Sequence, residues 1–224
     1  MAITMTDLYT ISDDYVMYLS QFDAKISAAK INERKHERKY FGPVFAVNGM
    51  KYFAPLQSPK RRDFLPNGLI RKDQIWLKQI ITTSKYGKPE TTGKVNFSNM
   101  IPVPELAYRR YDLANEQDEN YRAMITKEWD FLVKNSDVIC LKASVVYNLK
   151  TAEKTLQYVP YFLTHTVDFT LLEEKCRAYQ KLTTFNPNYA WQSKAHIPDQ
   201  TLTGVADLVN AESAPGCMTN ERSY

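Results

Sequence analysis

Apolar residues follow two patterns along the chain. Up to about residue 103 they form short clusters broken by Gly, Pro and Asn; beyond about residue 119 they recur at helical spacing. In the first stretch, residues 8–11 read as a short strand. Ser12 reads as the cap of a helix over residues 13–22, with Tyr15, Val16, Leu19 and Phe22 facing inward. Residues 40–47 and 50–56 read as two strands joined at Asn48-Gly49, a pair that accepts positive φ at both central positions of a type I′ turn. Residues 75–81 predict a further strand, 82–93 a polar loop, and 94–103 a strand ended by Pro102 and Pro104. In the second stretch, residues 119–134 predict a helix whose stripe of Tyr121, Met124, Ile125, Trp129 and Leu132 faces the core. Residues 138–149 predict another, burying Val138, Leu141, Val145 and Leu149. Residues 155–163 read as a last strand, and Thr170 with Glu173 as a capping box opening a helix from 171 to about 181. Strands first and helices later, without βαβ alternation, indicate an α+β fold with an antiparallel sheet.

After Thr183 Pro, Asn, Ser and Thr dominate and apolar residues become isolated. The expected organisation is a domain over residues 1–183 and a loosely packed or disordered extension over 184–224. With 224 residues and 44% hydrophobic positions, the chain can bury a core of ordinary size. Only 7 glycines are present, and no P-loop or dinucleotide fingerprint occurs. The 3 cysteines lie far apart without zinc-ligand spacing, so reduced thiols are expected and no metal or cofactor. No apolar run has the length of a membrane span, and no basic-then-apolar leader precedes the first strand; the expected location is cytoplasmic. A net charge of +4 permits a nucleic-acid partner without requiring one.

Two basic stretches change the picture. The loop after the second hairpin strand, Gln57-Ser58-Pro59-Lys60-Arg61-Arg62, puts an amide, a hydroxyl and three cations into six residues, a composition suited to holding a phosphate. The run KINERKHERK over residues 30–39 contains five cations, His36 and two acids. It reads either as a solvated face or as a phosphate-binding rim leading into the hairpin. His36 belongs to the residue type whose ordinary pKa, near 6.5, suits proton transfer at neutral pH.

The stretches LYTISDDYVMYLSQFD, FGPVFAVNGMKYFAPLQSPK, MIPVPE, YRAMITKEWDFLVKNSD and FTLLEEKCRAYQ, in this order, span most of residues 8–181. Together they resemble the ToxN/AbiQ family, the endoribonuclease toxins of type III toxin–antitoxin systems. The resemblance implies a strongly bent antiparallel sheet surrounded by helices, similar to the Kid and MazF toxins. It also implies metal-independent RNA cleavage to 2′,3′-cyclic phosphate and 5′-hydroxyl ends. The implied inhibitor is an antitoxin RNA of pseudoknot repeats that the toxin cuts from a precursor, often closing with it into rings. The implied setting is abortive defence against phage.

The family loop carries Thr or Ser, then Ser, Pro and Lys. Ser58 and Lys60 match it, whereas Gln57 replaces the first hydroxyl with a group that cannot become an alkoxide. The family's upstream Lys and Tyr fall on Arg38 and Arg34, with Lys39 and Lys35 adjacent, and no Tyr lies between Tyr18 and Tyr40. The expected catalytic set is thus Ser58, Lys60, Gln57 and His36, and the expected RNA-binding set Arg34, Lys35, Arg38, Lys39, Arg61 and Arg62. The alternative is a non-catalytic RNA-binding protein on the same fold, Gln57 marking the lost chemistry.

Overall fold

A computed structural model describes residues 6–26, 34–84 and 86–185, all within a compact unit spanning residues 1–191. Strand β1 (Asp7–Ile11) leads into helix α1 (Asp13–Ser20). Ser12 occupies the cap position, but its hydroxyl makes no capping bond; its N–H instead goes to Ala107 O at 2.9 Å. Strands β2 (Lys39–Val47) and β3 (Met50–Gln57) form the hairpin, with Asn48 at φ 51° and Gly49 at φ 76°, as a type I′ turn requires. Strands β4 (Leu77–Thr83), β5 (Pro89–Asn96), β6 (Ile101–Val103) and β7 (Tyr108–Arg110) complete an antiparallel sheet in the order β4-β5-β3-β2-β1-β7, with β6 also on β3. β3 is the hub: β6 covers Lys51–Phe53 and β5 covers Leu56–Gln57, so Pro55, which has no N–H to donate, falls between the two partners.

Three helices close over this sheet. α2 (Glu119–Lys134) lies on β4 and β5, α3 (Ser136–Thr151) on β2, and α4 (Phe169–Phe185) on β6 beside α1 and α3. An aromatic cluster of Tyr52, Tyr147 and Phe169 joins β3, α3 and α4. At its centre the buried Glu173 accepts the hydroxyls of Tyr52 at 2.9 Å and Tyr147 at 2.7 Å. Hydroxyl donors satisfy the carboxylate there, as a buried acid requires.

Several elements differ from the sequence reading. Residues 82–93 are mostly strand, because β-branched Thr82, Thr83, Thr91 and Thr92 extend a hairpin that turns only over 84–88. Residues 94–103 are two strands, since the Asn96 side chain accepts from Ser98 N–H and breaks the ladder. Residues 155–163 hold no strand but short 3₁₀ turns at Glu153–Thr155 and Tyr161–His165. On α3 the buried face is Ile139, Ala143 and Val146; Val138 and Leu141 stand 46% and 66% exposed, and Phe22 is also outside the core. Asp168, not Thr170, caps α4, its carboxylate taking the Leu171 N–H at 3.0 Å and leaving Glu173 to the tyrosines. α4 runs to Phe185, and the rest of the expected extension lies outside the described residues, as do residues 30–33 of the basic run. Among the described residues no helix is long and apolar enough to cross a membrane.

Candidate active site

β3 ends at Gln57, opposite Lys94 of β5, and the chain leaves the sheet through Ser58-Pro59 into a 3₁₀ turn at Arg61–Asp63. Asp63 fixes this loop. It is 5% exposed, and its Oδ2 accepts the Lys60 N–H at 2.6 Å and the Lys94 ammonium at 2.5 Å. Burial alone would raise the Asp63 carboxyl, but these donors outweigh it and hold its pKa below the usual range. The Lys60 N–H is therefore committed to the loop, while the side chains of Ser58 and Lys60 remain exposed.

The facing wall is built from the segment before β2 and from α2. Asp118 caps α2 by accepting the Tyr121 N–H at 3.0 Å. The same carboxylate receives Lys35 Nζ at 2.6 Å and stands 3.5 Å from His36 Nε2; Lys35 first, then the helix N–H, bring it down to about 2. The His36 ring stacks on Tyr121 at a centroid distance of 3.8 Å and an angle of 5°. These contacts tie residues 35 and 36 to the start of α2. The helix is in turn tied to β1, where Trp129 Nε1 donates to Asp7 at 2.7 Å.

Between the two walls lies a cleft of about 590 Å³, lined by residues 34–39, 56–60, Thr92, Tyr121, Met124, Ile125 and Glu128. Ser58, Lys60, Gln57 and His36 thus share one space with Arg34, Lys35, Arg38 and Lys39. Arg34 lies 3.9 Å from Asp13, and its buried Nη2 has no hydrogen-bond partner among the described residues. Burial, then Arg38, lower its pKa while Asp13 opposes them. Arg38 meets the buried hydroxyl of Tyr40. Lys39 is not a rim residue: it is 6% exposed, with Nζ 3.9 Å from the centroid of the Tyr111 ring, and burial lowers its pKa. Arg61 and Arg62 do not line the cleft. Arg62 opens on a second hollow of about 600 Å³, which shares Gln57 with the first and also contains Arg71, Lys72 and the exposed rings of Tyr158 and Tyr161.

Tyr121, Thr92 and Glu128 line the cleft without a place in the expected site, as do Met124 and Ile125. The sequence places Tyr121 on the core stripe and Thr92 in a loop. Glu128 had a legible signal, a carboxylate set between Ile125 and Leu132 on the buried face of a helix. It is 4% exposed, and burial pushes its pKa up to about 7. Among the described residues no group of three or more His, Cys, Asp or Glu could hold a metal ion.

A family model described as "Toxin ToxN, type III toxin-antitoxin system" matches residues 7–177. The endoribonuclease ToxN of Pectobacterium atrosepticum is 31% identical over 174 residues, covering 77% of this chain and 93% of that protein. The endoribonuclease AbiQ of Lactococcus lactis subsp. lactis is 30% identical over 179 residues, covering 79% and 91%. The solved structure of AbiQ, described as a lactococcal anti-phage endoribonuclease of the type III toxin–antitoxin system, superposes with a TM-score of 0.64 at 26% identity, over 79% of this chain and 99% of that one. A structure from work on selective toxin inhibition by a non-coding RNA pseudoknot superposes with a TM-score of 0.61 at 30% identity, over 79% and 98%.

Proposed function

The chain belongs to the ToxN family of type III toxin–antitoxin toxins, and from that premise we propose that it is an endoribonuclease cutting RNA in the cleft between the Gln57–Lys60 loop and residues 34–39. The observation that carries this reading is the sharing of one space by Ser58, Lys60 and the cations of residues 34–38. Leaving aside the buried Lys39, four cations (Arg34, Lys35, Arg38 and Lys60) line that space against two carboxylates, Glu37 and Glu128. Such an excess holds a polyanion in place.

The reaction is attack of a ribose 2′-oxygen on the adjacent phosphorus with departure of the 5′-oxygen, giving a 2′,3′-cyclic phosphate and a 5′-hydroxyl. The charge that develops on the phosphoryl oxygens is met by Lys60 and the Ser58 hydroxyl, on a loop already fixed by Asp63 and Lys94, so little reorganisation is needed. Arg34 and Arg38, which both line the cleft, grip the scissile or neighbouring phosphate. Gln57 stands at the junction of the two hollows, where its amide can hydrogen-bond the strand as it passes toward Arg62. Arg61 lies in the same turn as Arg62, beyond the cleft.

The partner is an antitoxin RNA of pseudoknot repeats that the toxin cuts from its precursor and that then blocks the cleft, toxin and RNA closing into a ring. The substrates released on loss of the antitoxin are cellular or phage RNAs, in a cytoplasmic defence by abortive infection. The bent sheet around β3 is read as a member of the Kid/MazF-like barrel class, on the strength of the family resemblance.

The test is incubation of the purified chain with total RNA in EDTA and analysis of the new ends. Cyclic phosphates are expected, and Ser58→Ala is expected to lower their rate of appearance about 10²-fold. RNA bound but uncut by the wild-type chain would favour the non-catalytic alternative.

A further inference from the structure

Glu128 has the features of a reacting group. A carboxylate 4% exposed on a cationic cleft would ordinarily be paired, yet among the described residues no cation pairs with it. Room for it is made by a glycine. A Cβ on Gly93 of β5 would lie 2.8 Å from Glu128 Oε1 and 3.4 Å from Ile80 Cδ1 of β4. From the helix of Glu128 comes Tyr121, and from β5 the Thr92 hydroxyl. The same cleft is lined from β2 by Lys39, covered by Tyr111, from the preceding segment by Arg34, Lys35, His36, Glu37 and Arg38, and from the loop by Lys60; none of these is among the groups that shift Glu128. On β1, Asp7 is taken up by Arg110 and Trp129. On α2, Lys127 reaches away to Thr83 O at 3.4 Å.

We propose that Glu128 is the general base of the cleft, taking the proton from the ribose 2′-hydroxyl; this rests on the reading of the cleft as the cutting site. His36 is the less suitable base, since one ring face lies on Tyr121 and Nε2 faces Asp118. In the step, the Glu128 carboxylate accepts the 2′-hydroxyl proton as the bond from O2′ to phosphorus forms. The bond from phosphorus to O5′ breaks, and O5′ takes a proton from water at the cleft mouth. The Glu128 proton then returns to solvent, so no co-reactant is consumed. A base in this role is effective when its pKa is near working pH, and burial brings Glu128 to about 7.

The experiment is the single-turnover cleavage rate of the full chain between pH 5 and pH 9, on an end-labelled mixed-sequence oligoribonucleotide pool. The wild-type rate should rise about tenfold per pH unit and level off above about pH 7. Glu128→Gln should lower the plateau about 10²- to 10⁴-fold and abolish the rising limb, while RNA affinity shows that the variant is folded. His36→Gln should keep the limb. A purely structural glutamate would lower the rate equally at every pH and leave the limb in place. Persistence of the limb in Glu128→Gln, or a rate within about threefold of wild type, overturns the proposal while leaving the cutting site intact. Failure of the wild-type chain to cleave at any pH overturns both.

Discussion

Glu128 ties the chemistry of single residues to stability. Its folded pKa of about 7 lies above the ordinary carboxylate value of 4.5, so the folded chain holds a proton that the unfolded chain releases. That preference is fully present below about pH 4.5 and is lost as pH rises through about 7. Glu128→Gln, which cannot ionise, should therefore match wild type in stability near pH 4.5 and exceed it at pH 8 by on the order of 3 kcal/mol. Denaturant titration at the two pH values measures this, and a variant no more stable at pH 8 would mean that the carboxyl is better solvated than its 4% exposure implies. Gly93→Ala should disturb the same carboxylate, because the added methyl would meet it at 2.8 Å.

At the scale of elements, the Ser58–Lys60 loop is catalytic only if it is held, and the holding group is the buried pair of Asp63 and Lys94. Removing one partner of such a pair typically costs about 3–5 kcal/mol, because the other charge stays buried. Asp63→Asn should thus lower the unfolding midpoint and slow cleavage together, whereas Asp63→Asn with Lys94→Met should recover stability without recovering rate. Neither partner stands out in the sequence: Asp63 is the lone acid after three cations, and Lys94 opens a stretch that reads as a strand without marking it as buried. The hairpin was legible because Asn48-Gly49 dictates its own geometry, and α2 because its apolar stripe keeps helical spacing throughout. The β5 strand, the buried face of α3 and the Asp168 cap were not, because each is decided by what packs against it: a strand partner, the β2 surface and the tyrosines that claim Glu173. The site divides in the same way. Local composition exposed Ser58, Lys60 and residues 34–39, whereas Tyr121, Thr92 and Glu128 reach the cleft only through the packing of α2 on β4 and β5.

For the whole molecule, a net charge of +4 is modest, and the excess of cations along one cleft matters more than the sum. RNA affinity should fall steeply with salt. Arg34→Gln or Lys60→Gln should each reduce the slope of log affinity against log salt by about one, if each neutralises a phosphate. Lys39→Gln should act instead through the lost contact with Tyr111 and leave that slope nearly unchanged. Unaltered slopes for both Arg34→Gln and Lys60→Gln would place the RNA on another face. The central claim, that charge developing on phosphorus is stabilised between the Ser58–Lys60 loop and residues 34–39, is tested most directly by single-turnover cleavage with saturating Lys60→Ala in EDTA. A rate lowered about 10²- to 10³-fold with RNA still bound is the predicted result, and cleavage at the wild-type rate would contradict the account.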